Sequence, residues 1–374
     1  MTINLYNLII LIATVHGLTL SGLLILSKNK PRKTHMFLAL VLIFYTLPVL
    51  KSILIDIGFF TSHALSLLPL ELIYGLGPSL YLYTRTVSDP GYQLRKVDLL
   101  HFVPVALELI YYLTPSYQSV PYYSFGKIQN AHHLIWMLQQ SGGIASILIY
   151  LGLSLRLLIR YSRWVQDNYS DMHHKNLRWL QKPVILYTVF FALWFALRGV
   201  DIFYFQDNLD IRPYYPLLII LSVITYWIGT KGYLQAHIKA MGYSQAQQPV
   251  SDGNNSQDSA TLATLYAHVQ KVMQDEQLFL HNGLTLTDLS QHTNINPRLL
   301  SQVINTQAKV NFYQYINQFR LNIFKQKLQQ MDASKGIFDL ALECGFNSKT
   351  TFNQIFKTDT GMTPSEFKKQ IQDA

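Results

Sequence analysis

Apolar and polar positions divide this chain into two regimes. Up to about position 231, long apolar runs alternate with short polar breaks. Seven stretches, near 5–27, 36–58, 63–86, 98–114, 134–159, 183–205 and 212–231, approach the length of about 20 mostly apolar residues that spans a bilayer. The fourth is short and carries His101 and Glu108. The first does not read as a cleaved leader. No Lys or Arg precedes it, its apolar run is too long, and no small-residue cleavage site follows.

The segment 241–260 is polar and rich in Gln, Ser, Asn and Gly, the composition of a flexible linker. From about 261 the apolar positions recur at helical spacing, as in Leu262, Leu265, Tyr266, Val269 and Met273. The pattern predicts an all-α protein. A seven-helix membrane domain over 1–240 is followed by the linker and by a second helical domain over 261–374.

Within that second domain, 285–305 reads as helix, tight turn, helix. Thr285 caps a helix carrying Leu286, Leu289 and His292. Asn294 suits a left-handed turn residue. Asn296 then caps a second helix with Pro297 at its first position, and Leu299, Leu300 and Val303 form its inner face. The pattern returns over 337–357: Ile337, Leu340 and Ala341 lie on a helix ending at Gly345. Asn347 or Ser348 starts the next, with Phe352, Ile355 and Phe356 inward. Between the two units, Phe312, Ile316, Phe319, Ile323 and Leu328 stripe one long helix. Such a rod can hold two recognition helices about one DNA turn apart (~34 Å).

Charge sharpens both halves. The net charge is +9, yet residues 1–240 carry 19 Lys and Arg against 10 Asp and Glu, while 241–374 carry 11 of each. The basic excess therefore belongs to the membrane half. It sits in alternate loops: Lys28, Lys30, Arg32 and Lys33 in the first, Arg85, Arg95 and Lys96 in the third, and Arg156, Arg160, Arg163, Lys175, Arg178 and Lys182 in the fifth. The second loop has neither residue, the fourth has only Lys127, and the sixth is acidic at Asp207 and Asp210 with Arg212 at its edge. Lys and Arg stay on the cytoplasmic side. The N-terminus is then expected outside and the C-terminal domain inside, in the compartment that holds DNA. The single cysteine, Cys344, allows no intramolecular disulfide and reads as a small buried apolar residue.

The run IFDLALECGFNSKTTFNQIFKTDTGMTPSEFKK (337–369) resembles the second helix-turn-helix unit of the AraC/XylS family of transcription regulators. Ala341, Gly345, Phe346, Ser348, Phe352, Phe356, Lys357, Gly361, Thr363 and Pro364 carry the likeness. It extends over roughly 265–370 and implies a two-lobed helical domain that enters successive major-groove segments. Two positions depart from the family pattern. Lys309 stands where Gly usually follows the first recognition helix, and Phe324 stands where the long helix usually carries Ala after its Arg320–Leu321 pair. The outward faces of the recognition helices offer Arg298, Ser301 and Gln302 in the first lobe, and Lys349, Thr350, Asn353 and Gln354 in the second. These positions align with the family's base-contacting ones. Lys357 and Lys309 suit phosphate.

The segment GPSLYLYTRTVSDPGYQLRKVDLLHFVP (77–104) is similar to one found in multi-span membrane proteins with an AraC-type tail, and implies a sensor. Ionisable residues inside spans are functional candidates by default: Lys51, Asp56, Glu71, Glu108, Arg198 and Asp201. Glu71, Glu108, Arg198 and Asp201 make the candidate signal site. Ion pairing between helices is the plainer alternative, with Lys51 and Asp56 snorkelling to the surface. Neighbouring His132–His133 and His173–His174 do not share a helix face, so no metal is expected, and nothing calls for a cofactor. No P-loop, GxSxG, HExxH or strand-bound GxGxxG is present, so the chain does not read as an enzyme.

The expectation is a bacterial inner-membrane regulator. Its partners are promoter DNA, membrane lipid and an unknown small-molecule signal. A second copy in a homodimer and, for an activator, RNA polymerase would join them. A transporter-like protein or a constitutive tether with a DNA-binding tail stays open as an alternative.

Overall fold

The computed structural model describes residues 5–27, 32–59, 68–89, 91–114, 132–172, 177–205, 214–234, 259–331 and 336–372. The expected linker at 241–260, the histidines His173 and His174, and the side chains of His132 and His133 lie outside the described residues, apart from positions 259 and 260. Every regular element among the described residues is helical. The chain forms two compact units, Met1–Ile159 with Leu177–Ala246, and Arg160–Asn176 with Gln247–Ala374.

The first unit holds α1 (Leu5–Leu26), α2 (Arg32–Asp56), α3 (Leu76–Ser88), α4 (Val103–Tyr112), α6 (Arg178–Tyr204) and α7 (Tyr215–Leu234), with the start of α5 (His132–Asn168). Among the described residues, five helices are long and apolar enough to cross a membrane: Leu5–Leu26, Arg32–Asp56, Met137–Asn168, Arg178–Tyr204 and Tyr215–Leu234. The third and fourth apolar stretches are not single long helices over their described residues. Over the described part of the third, a 3-10 turn at Ile73–Gly75 leads into the 13-residue α3. The fourth is a 3-10 segment, Lys96–Phe102, running into the 10-residue α4. Polar chemistry starts this stretch: Asp98 accepts from the Arg95 amide at 2.7 Å and from the Tyr92 hydroxyl, with Arg85 and Arg95 guanidinium groups each 3.8 Å away. The conspicuous 77–104 segment is thereby folded around one buried carboxylate.

These helices keep apolar residues on their outer faces. Ile12 and Leu26 of α1, Leu107 and Ile110 of α4, and Val189, Phe203 and Tyr204 of α6 are exposed. Inside, polar side chains satisfy one another. The Tyr45 hydroxyl donates to the Leu218 carbonyl at 3.0 Å and lies 3.0 Å from Ser222, joining α2 to α7. Asp56 does not snorkel alone: it accepts from Asn7 at 2.7 Å and from Tyr215. At Gly77 the packing is close, since a β-carbon would lie 2.9 Å from the Tyr150 side chain.

The second unit contains α8 (Ser259–Asp275), α9 (Leu286–Thr293), α10 (Pro297–Val303), α11 (Phe312–Gln329), α12 (Ile337–Glu343), α13 (Lys349–Thr360) and α14 (Pro364–Gln372). It has two cores. One gathers Val269, Met273, Leu289, Leu300 and Ile304 around Phe312, Tyr315 and Ile316; the other gathers Leu340, Cys344, Phe346, Phe352 and Phe356 around Leu321, Phe324 and Leu328. Both use α11, whose N-terminal half serves the first lobe and whose C-terminal half serves the second. Cys344 is wholly buried, as its composition class suggests.

Candidate DNA-binding face and candidate signal site

Each recognition helix begins at a cap that the sequence supplies. In the first lobe Thr285 and Asp288 form a reciprocal capping box at the start of α9. Asn294 takes the left-handed conformation at φ 53°, which turns the chain. The Asn296 side chain accepts from the Arg298 amide at 2.9 Å, and Pro297 opens α10. In the second lobe Gly345 turns at φ 89°, and Ser348, not Asn347, is the cap of α13.

These turns set which side chains face out. Leu300 and Val303 of α10, and Phe352 and Phe356 of α13, are buried. The opposite faces leave Arg298, Gln302, Lys349, Thr350, Asn353, Gln354 and Lys357 exposed, and Ser301 half-buried with the Asn305 amide 3.4 Å from its hydroxyl. The expected DNA-facing residues thus fall on two exposed helix faces. The expected register is set by the apolar stripe that locks each helix to its core.

The two departures from the family pattern have distinct structural outcomes. Lys309 adopts the left-handed conformation itself, at φ 54°, immediately after a π turn at Ile304–Ala308. Phe324 belongs to the second lobe. It is fully buried, with its ring 4.8 Å from Phe352 and 5.6 Å from Phe356. The larger side chain fills a core with aromatic edges.

Arg320 was noted in the sequence only as half of a pair, and its position gives it more to do. It is 2% exposed and lies on α11 between the two cores. Its Nε donates to the Phe279 carbonyl at 2.7 Å and one terminal nitrogen donates to the His281 carbonyl at 2.9 Å. Its guanidinium sits 6.0 Å from the Phe346 ring of the second lobe. Burial pushes the guanidinium down to about 10, so it stays protonated at neutral pH. A buried charge of this kind is tolerated only with its donors satisfied. The signal that could have revealed it was a lone Arg on the apolar side of α11.

The residues match known proteins in the same region. Residues 289–370 match a family model described as a helix-turn-helix domain. This is an AraC-type DNA-binding domain. The chain is 30% identical over 90 residues to the melibiose operon regulatory protein of Escherichia coli (strain K12), covering 24% of this chain and 29% of that one. It is 32% identical over 91 residues to the HTH-type transcriptional regulator ArgR of Pseudomonas aeruginosa, covering 24% and 27%. An uncharacterized HTH-type transcriptional regulator of Staphylococcus aureus (strain COL) is 30% identical over 100 residues, covering 27% and 13%. The chain therefore spans under a third of the length of these curated relatives. No solved structure matches it.

In the first unit the candidate signal residues form two separate pairings. Glu71 lies 3.7 Å from Lys51, which is buried and does not snorkel. Gln139 of α5 joins this pair to α4, donating to the Glu71 carbonyl at 3.0 Å and to the Glu108 carboxyl at 3.3 Å. Arg198 instead bonds Asp201 one turn along α6 at 2.7 Å, and Tyr214 donates to the same carboxylate at 3.4 Å. The pairing of Arg198 with Asp201 follows from their three-residue spacing.

Proposed function

We propose that this protein is a membrane-integral transcription regulator that reads promoter DNA with its AraC-type domain and senses an external or membrane-borne small molecule. One observation carries the reading: the same chain holds helices whose outer faces are apolar and an AraC-type DNA-binding domain with two exposed recognition faces. Apolar surface spread over several helices is unsuited to water. A lipid bilayer supplies the missing partner, and the bacterial inner membrane is the one that faces DNA.

The Lys and Arg distribution supports an N-terminus outside and a cytoplasmic C-terminal domain. The short α3 and α4 do not alter this. Being two in number, they leave the parity of every later loop unchanged when both cross or neither does, and crossing by both is what keeps Arg85, Arg95 and Lys96 inside. The fifth loop, with Arg160 and Arg163, then stays inside. The polar cluster at Lys51, Glu71, Glu108 and Gln139 and the Arg198–Asp201 pair are the sites at which a signal would act. A signal can shift the bundle only by binding its two states differently.

Both cores of the second unit are built largely from residues beyond 261, so a 255–374 fragment is the direct test of DNA reading. Purified and folded, it should select a defined sequence from random duplexes. Because it is nearly neutral, its affinity should be modest, with a salt dependence set by a few phosphate contacts. A folded fragment without sequence preference would sink the reading. Transcripts compared with and without the full protein then identify the regulated genes.

A further inference from the structure

The second unit contains a piece of chain that its sequence position does not lead one to expect. Arg160–Asn176, from the fifth loop of the membrane half, packs within the unit formed by the DNA-binding lobes. Its first nine residues are the end of α5, so the same helix that supplies a span runs into this segment.

The contacts are specific. Tyr169 pairs antiparallel with Thr285, the cap of α9. The Ser170 amide donates to the Leu284 carbonyl at 3.1 Å, and its hydroxyl donates to the same oxygen at 2.7 Å. Arg320 returns two bonds, from its terminal nitrogens to the Ser170 carbonyl at 3.4 Å and to the Ser170 hydroxyl at 3.2 Å. Ser170 is 2% exposed, so these bonds are shielded from water. Asn311, the cap of α11, donates to Gln166 at 3.4 Å. Asn347, one residue before the cap of the second recognition helix, donates to the Asp171 carboxylate at 3.0 Å.

The segment therefore grips the first lobe at Leu284 and Thr285, the shared helix at Asn311 and Arg320, and the second lobe at Asn347. It fixes the two lobes to each other through a strand of chain continuous with a span. It also places a carboxylate beside the end of α13 that would approach DNA phosphates, where a like charge opposes binding.

We propose that Arg160–Asp171 is a built-in docking arm that holds the two DNA-binding lobes in a restrained, weakly binding arrangement and releases them when α5 moves. The proposal rests on the DNA-binding reading above. It supplies a route from membrane to DNA that bypasses the 241–260 linker. An arm pulled by its helix is a two-state element of the kind that coupling requires.

The test uses the full chain in lipid nanodiscs. Gln166→Cys and Asn311→Cys are introduced together and joined with a cleavable thiol-reactive cross-linker; because Asn311→Cys also removes the α11 cap, the uncross-linked double variant is the reference. The native Cys344 is buried and stays silent. The link should form within one chain and lower affinity for the DNA sequence selected by the unlinked protein about tenfold, with recovery on cleaving the linker. Separately, Asp171→Arg should raise that affinity about fivefold in the uncross-linked protein. Absence of an intrachain link in folded protein overturns the docking arm. So does a DNA affinity indifferent to linkage and to Asp171→Arg. If the full chain selects no DNA sequence at all, the DNA-binding reading itself falls, and the arm's function falls with it.

Discussion

Gly345 approaches Arg320 so closely that a β-carbon on it would lie 2.9 Å from the guanidinium Nε. The same carbon would lie 2.7 Å from the Phe279 carbonyl, the oxygen that this Nε bonds. The turn of the second helix-turn-helix is thus seated on the charge that ties both lobes together. Glycine satisfies two demands here, the left-handed φ of 89° and the absence of a side chain. Gly345→Ala should cost about 3 kcal/mol of second-unit stability, through strain and displacement of Arg320. Chemical unfolding of the 255–374 fragment and its variant measures it. A loss near zero would mean that the turn relaxes and that the close approach is unimportant.

Lys309 predicts a change of the opposite sign. It holds a left-handed conformation that a side chain disfavours. Lys309→Gly should stabilise the fragment by about 1 kcal/mol, the relief of strain outweighing the extra freedom of glycine when unfolded. If Lys309 also touches phosphate, the variant should lose about one contact from the salt dependence of DNA binding. Unchanged or reduced stability would show that the lysine side chain is held by interactions stronger than the strain.

How much of this could be read from the residues alone depended on the range of the interaction. Thr285, Asn294, Asn296 and Pro297 act on neighbours within three residues, so their caps and turn were legible. So was the division of α10 and α13 into buried and exposed faces, because the helical period decides it. Phe324 was visible as a departure, but which lobe it fills depends on where α11 passes from one core to the next. Ser170 and Asp171 gave no sign of docking. Their partners lie 114 to 176 positions away, and two polar residues in a basic loop look like any solvated turn. The fourth apolar stretch was legible as short, but the 3-10 start that Asp98 caps was not, because hydropathy carries no information about capping.

Topology offers a test independent of DNA. A reporter active only in the cytoplasm, fused after residue 240, should be active, and one active only in the periplasm should be silent there. Fused before residue 5 through a short spacer, the pattern should reverse. Strong periplasmic activity after residue 240 would remove the second unit from the compartment holding DNA and end the regulatory reading.

The last prediction separates reading a base from positioning the protein. Asn353 is exposed one turn into α13, flanking the face that buries Phe352 and Phe356. Its amide can pair with two atoms of an adenine edge, and Gln354 beside it can do the same. Asn353→Ala should cost about 1–3 kcal/mol at the selected site and relax preference at one or two base pairs. Lys357 lies one turn further along, also exposed, and offers only a point charge. Lys357→Ala should weaken all sequences alike and lower the salt slope by about one contact. Phe352→Ala is the structural control, since removing a ring packed against Phe324, Phe346 and Phe356 should unfold the lobe at a cost of about 3–5 kcal/mol. Affinities for the selected site and its single-base variants, with helicity checked by circular dichroism, distinguish the three. If Asn353→Ala and Gln354→Ala both leave base preferences untouched in a folded domain, α13 presents a different face to DNA. Reading would then shift to Lys349 and Thr350 at its N-terminal end, just after Asn347, which bonds the Asp171 carboxylate of the docking arm.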